Sequence, residues 1–93
     1  MHKPLTQQQK ILLEAANAIE EFGHLKNSLG DRNQGMCIRG ALWFAGGHSA
    51  GDAAMNAVEQ KLGLSWFEAI EWNNAPERTA AEVIAALRET ALS

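Results

Sequence analysis

The chain has 93 residues, 46% of them hydrophobic and 20% charged, with eight glycines and two prolines; this bounds it to one globular domain, 1–93, and excludes a disordered or low-complexity polypeptide. Its net charge is −3, from 8 basic and 11 acidic residues, and no stretch is dense enough in Lys and Arg to neutralise several phosphates, which excludes extended nucleic-acid binding. One cysteine, Cys37, excludes an internal disulfide; there is no long apolar run to span a membrane, and Met1 to Lys10 lacks the apolar run of a signal peptide, so the expectation is a cytoplasmic protein.

Ser or Thr precedes an acidic or amide residue by three positions four times: Thr6 and Gln9, Ser49 and Asp52, Ser65 and Glu68, Thr79 and Glu82. Each hydroxyl can accept a first-turn amide while the later side chain reaches back to the cap residue's own N–H. Followed by apolar residues at helical spacing, these pairs mark helix starts. The first predicted helix runs from Gln7 to Phe22, with Leu12, Ala15, Ala16, Ile19 and Phe22 as its buried stripe and Gly23 as its stop. Residues His24 to Gly35 follow as an irregular connection with a short turn around Leu25 and Leu29. That is long for so small a domain, and such a loop often carries function.

The second predicted helix covers Met36 to Phe44. It is apolar nearly all round, with Arg39 its one charge, and is expected at the centre of the fold. Gly46 and Gly47 end it. The third, Ala50 to Leu62, turns Ala50, Ala53, Ala54, Ala57, Val58 and Leu62 inward and stops at Gly63. The fourth, Trp66 to Trp72, is short and breaks at Asn73-Asn74-Ala75-Pro76, since the residue before proline avoids helical angles. The fifth, Ala80 to Ala91, gathers Ala80, Val83, Ile84, Leu87 and Ala91 on one face. No segment alternates with period two, so no strand is expected. The fold class is all-α: a compact single domain of four to five short helices.

The candidate chemistry is sparse, and no catalytic constellation is identified. Cys37 lies at a helix start, but a catalytic thiol needs a nearby base, and His48 lies beyond the far end of the same helix; the plainer role is a small core residue. His2, His24, His48 and Cys37 share no ligand spacing, so no metal or other cofactor is expected. The segments around Gly46-Gly47-His48 have helix-turn-helix lengths, yet the second helix carries Asp52 and Glu59 against Lys61 and would repel a phosphate backbone. The residues that stand out for binding are Arg39, Trp43, Trp72, Asn73, Asn74 and Arg78. A buried Arg39 needs a carboxylate, such as Glu71, or a ligand anion. Buried indoles need acceptors. The competing role is structural, with tryptophans filling the core and Asn73-Asn74 closing a helix.

Three segments, Cys37-Ile38-Arg39-Gly40-Ala41-Leu42, Trp72-Asn73-Asn74 and Arg78-Thr79-Ala80-Ala81-Glu82-Val83, resemble in order and spacing a family of small, uncharacterised helical proteins of bacteria and their phages. That family carries C-x-x-G-A-L, then W-N-D, then R-T-x-x-E-V. The chain departs from it in having Asn74 where Asp is usual, and in lacking a tryptophan before the cysteine. The resemblance covers residues 36–90. It implies an all-helical fold and an intracellular setting, and it implies no reaction.

Two function classes follow. One is a non-enzymatic binding or interaction module, a bacterial or phage accessory protein that docks on a host protein or sequesters a small ligand. The other is a minimal enzyme using Cys37 or a Glu71/Arg39 pair. The all-apolar second helix, in a chain with little capacity to cover it, also predicts a homodimer.

Overall fold

The computed structural model describes residues 4–93; His2 lies outside them. The element order is α1 (Gln7–Phe22), β1 (Gly30–Asp31), β2 (Gly35–Met36), α2 (Ile38–Leu62), α3 (Trp66–Asn74) and α4 (Ala80–Leu92). Among the described residues the fold is all-α and compact, with four helices. Among the described residues no helix is long and apolar enough to cross a membrane.

Three of the four start signals work as chemistry requires. Thr6, Ser65 and Thr79 each cap a helix and form a full capping box with Gln9, Glu68 and Glu82. The fourth does not. The break expected between Met36–Phe44 and Ala50–Leu62 is present: α2 is two helical segments joined across a kink at Gly47, whose φ of 82° and ψ of 176° no helix tolerates, and its first segment starts at Ile38. Ser49 does not cap, because the helix resumes directly after Gly47 and Ser49 already lies inside it; Asp52 faces back across the bend. Its Oδ1 accepts from the Trp43 indole at 2.7 Å and from Arg39 at 3.3 Å. The two halves of α2 touch closely here: a Cβ on Gly51 would stand 2.8 Å from the Leu42 carbonyl oxygen.

The short antiparallel pair of Gly30–Asp31 with Gly35–Met36 corrects the expectation of no strand. At two residues per strand it leaves no period-two pattern to read. The Asp31 carboxylate shapes its turn by accepting from the Asn33 and Gln34 amides at 2.8 and 2.9 Å.

The centre of the fold is α1, which packs along both α2 and α4. This corrects the central position expected for the second helix. The physical reason lies in side-chain size: buried Ala15, Ala16 and Ala18 let two helices approach α1 closely, with Leu12 and Ile19 as its larger contacts. A Cβ on Gly46 of α2 would stand 2.7 Å from Ile11 Cδ1. Leu42, Val58, Val83 and Leu87 fill the same core at 0% exposure. The start of α2 does bury Ile38, Ala41 and Leu42, yet Phe44 is 52% exposed. Ala53, expected inward, is exposed, and Met55 and Glu59 are buried instead. The α3 helix buries only Ala69 and Asn73 and leaves Trp66 and Phe67 at the surface.

Candidate functional site: a cleft between the loop and the third helix

The connection from Gly23 to Met36 is ordered by backbone pairing. Met36 donates to the Gly23 carbonyl at 2.9 Å, Leu25 to the Met36 carbonyl at 3.0 Å, and Cys37 to the Leu29 carbonyl at 3.3 Å. The loop then crosses the first turn of α2 so closely that a Cβ on Gly40 would meet the Leu29 carbonyl oxygen at 2.1 Å. Only glycine permits that crossing.

Asn73 holds the assembly together. It is 2% exposed, and its Oδ1 accepts from the Ile38 amide at 3.0 Å, so a side chain of α3 satisfies an otherwise orphaned N–H at the start of α2. Its Nδ2 donates to the Leu25 carbonyl at 3.3 Å and to Asn74 Oδ1 at 2.9 Å. His24 Nε2 lies 2.8 Å from the same Asn73 oxygen. That oxygen can only accept, so Nε2 carries the proton. All four hydrogen-bonding positions of the Asn73 amide are therefore used within the protein. Asn74 Oδ1 also accepts from the Asn27 amide at 2.7 Å, and Lys26 reaches the Pro76 carbonyl at 2.9 Å.

These ties hold the loop, the start of α2 and the end of α3 around a cleft of about 340 Å3. Asn27, Ser28 and Leu29 form the loop wall, and Ile70, Asn73 and Asn74 the helical wall. Buried Ile38, Met55 and Ala69 make an apolar floor. Cys37 and Arg39 also line it. The volume falls at the lower end of the usual range for small-molecule sites, and an apolar lining with a few convergent polar groups is the usual composition of one. A larger hollow of about 480 Å3 lies elsewhere, where Gln8, Gln9, Gln60 and Lys61 join Leu12 and Ala57, and its walls are more polar.

Of the six residues singled out for binding, Arg39, Asn73 and Asn74 are brought to the cleft. The other three are engaged outside it. Trp43 sits at the α2 bend, its indole on Asp52 and its ring 4.2 Å from that of His48. The Arg78 guanidinium lies 4.2 Å from the Trp72 ring centroid, and Arg78 donates to the Trp72 carbonyl at 2.9 Å and to Glu82 at 3.0 Å. Arg78 thus ties the end of α3 to the start of α4. Arg39 finds carboxylates, but not the one expected: it pairs with Asp52 at 3.3 Å and Glu59 at 3.6 Å, and Glu71 makes no ion pair with it. Cys37 is the N-cap of α2, and its sulfur accepts from the Gly40 amide at 3.2 Å. Half-buried on the cleft wall, it is not a core residue.

Sequence reasoning missed Asn27, Ser28 and Met55. The two polar loop residues carry no motif, and Met55 reads as one more apolar position of a helix. The signal that was present lay in the loop's unusual length and in the adjacent asparagines.

No curated protein and no solved structure matches the chain. The model of DUF6197, a family of unknown function, matches residues 3–92, and the chain belongs to that family.

Proposed function

We propose that this chain is a small, non-enzymatic binding module that holds a small ligand in the cleft between the 24–36 loop and α3. The observation that carries the reading is the cleft itself: about 340 Å3, floored by buried apolar side chains and rimmed by Asn27, Ser28 and Asn74. Its walls are tied in place by Asn73, so the site is preorganised and binding costs little ordering of the protein. No cofactor is part of this reading. A cytoplasmic setting fits a chain with a single, unpaired cysteine. A bacterial or phage accessory role rests on the resemblance of its three motifs. A homodimer is part of the proposal, supported by Trp66 at 62% and Phe67 at 57% exposure on α3.

Native mass spectrometry of freshly purified protein tests the reading, with Ile70→Trp as the comparison because Ile70 lines the cleft and a larger ring there fills it. The expected result is an added small-molecule mass on the native chain that Ile70→Trp loses. Bare chain masses from both proteins would overturn it.

A second reading, a thiol enzyme, is favoured by one observation: Cys37 is half-buried on the cleft wall. It lacks an assigned base, since His24 Nε2 is held by Asn73 and the His48 ring packs tilted against Trp43. Any turnover that survives Cys37→Ala removes this reading. The Glu71/Arg39 version has no geometric support, because Arg39 is committed to Asp52 and Glu59.

A further inference from the structure

The polar groups of the cleft differ in what they have left to offer. Asn74 Oδ1 receives two N–H groups, from Asn27 at 2.7 Å and Asn73 at 2.9 Å. An atom that accepts two N–H groups is the oxygen, so chemistry fixes the orientation of this amide. The Asn74 Nδ2 then keeps two hydrogens and makes no hydrogen bond to any described residue, on a side chain that lines the cleft.

The charged group of the cleft is in the opposite condition. Arg39 is the one charged residue in its lining, and its guanidinium already faces Asp52 at 3.3 Å and Glu59 at 3.6 Å. Two of the three first-turn amides of α2 are also taken, Ile38 donating to Asn73 and Gly40 to the Cys37 sulfur, which leaves the neutral Arg39 N–H. The guanidinium, the one cation of the lining, is already matched by two carboxylates and offers no uncommitted charge to an incoming anion. A carboxylate placed against Leu29, Ile38, Met55 and Ile70 would lose hydration without gaining a free cation. An ammonium would bring donors to meet the Asn74 donors.

We propose that the cleft selects an uncharged ligand, an apolar body bearing a carbonyl acceptor of the amide or ester class, and that Asn74 Nδ2 is the group that reads the carbonyl. The proposal rests on the cleft being a binding site, as argued above, and adds the ligand chemistry and the residue that selects it.

The test is a 1H–15N NMR titration of the full chain with three probes of equal length: hexanamide, hexanoate and hexylammonium. Hexanamide is expected to shift the Asn74 side-chain amide pair and the Asn27 to Leu29 backbone amides. It is expected to bind at least tenfold more tightly than either charged probe. Asn74→Asp keeps an oxygen for Asn27 and Asn73 and replaces the donors with a second oxygen. It should weaken hexanamide at least tenfold with little change in melting temperature. Hexanoate or hexylammonium binding in the cleft as tightly as hexanamide overturns the ligand class and leaves the binding site standing. Silence of every cleft residue toward all three probes overturns both. Should Asn74→Asp fail to fold, the order of the three probes on the native chain still decides.

Discussion

Asn73 shows how one side chain can set a local fold. Its amide meets a loop carbonyl, a helix N–H, a histidine and its own neighbour, all at 2% exposure. Truncation leaves the Ile38 N–H and the Leu25 carbonyl without partners, and each such loss costs about 1–3 kcal/mol. Asn73→Ala is expected to destabilise the chain by about 2–4 kcal/mol, read by urea denaturation. A change below about 0.5 kcal/mol would show that the loop holds itself. Arg78→Ala is expected to lower stability by about 1–2 kcal/mol, the sum of a carbonyl hydrogen bond and a cation–π contact. At this scale the sequence singled out Asn73, Asn74 and Arg39, which the fold brings to one cleft, and expected Glu71 where Asp52 and Glu59 pair with Arg39. The reason is distance along the chain: Asp52 and Glu59 reach Arg39 only because α2 bends at Gly47.

At the scale of the element, capping chemistry was legible because it is local. Thr6, Ser65 and Thr79 need only residues three positions away. Ser49 failed because the helix resumes directly after Gly47, ahead of it, and the Asp52 carboxylate is held by Trp43 and Arg39 from across the bend, a contact no local pattern records. The 30–36 hairpin was hidden by its brevity. The capping carboxylates also predict a pH dependence. The Ser65 backbone N–H, with its hydroxyl, holds Glu68 below the ordinary carboxylate range, and the Thr79 backbone N–H does the same for Glu82. A depressed folded-state value means stability that is complete above the ordinary glutamate value of about 4.3 and is lost as pH falls through the folded value. Thermal melts of the native chain should therefore decline below that pH. The E68Q/E82Q double variant should decline less steeply; parallel curves would contradict the capping assignment. Gly40→Ala supplies a backbone test. Alanine gains about 0.5–1 kcal/mol in a helix interior, but here its Cβ would stand 2.1 Å from the Leu29 carbonyl oxygen. The clash outweighs the gain, so the variant should melt lower than the native chain and shift the NMR signals of Asn27 to Leu29. A higher melting temperature would show that the loop does not cross there.

At the scale of the whole molecule, the accessible surface of 5593 Å2 is close to the roughly 5,300 Å2 expected for a folded monomer of this mass. Area therefore does not demand a partner, and what favours a dimer is the surface of α3, with Trp66 and Phe67 exposed. Sedimentation at tens of micromolar should show a species of twice 10.1 kDa, reduced to the monomer by W66E/F67E. A native chain that sediments only as a monomer would refute the dimer. The all-helical class was legible throughout, whereas the centre of the fold was not: hydrophobicity alone favoured the second helix, but close approach to small alanines made α1 the centre. The cleft is likewise a product of the whole fold, since its walls lie more than forty positions apart, from Asn27 to Asn74. The most direct test of its role is a 1H–15N NMR screen of the native chain against a library of small neutral fragments. The account predicts shifts that cluster at Asn27, Leu29, Cys37, Ile70 and Asn74. Shifts that gather instead around Gln8 and Lys61, or on Trp66 and Phe67, with the cleft silent, would contradict it.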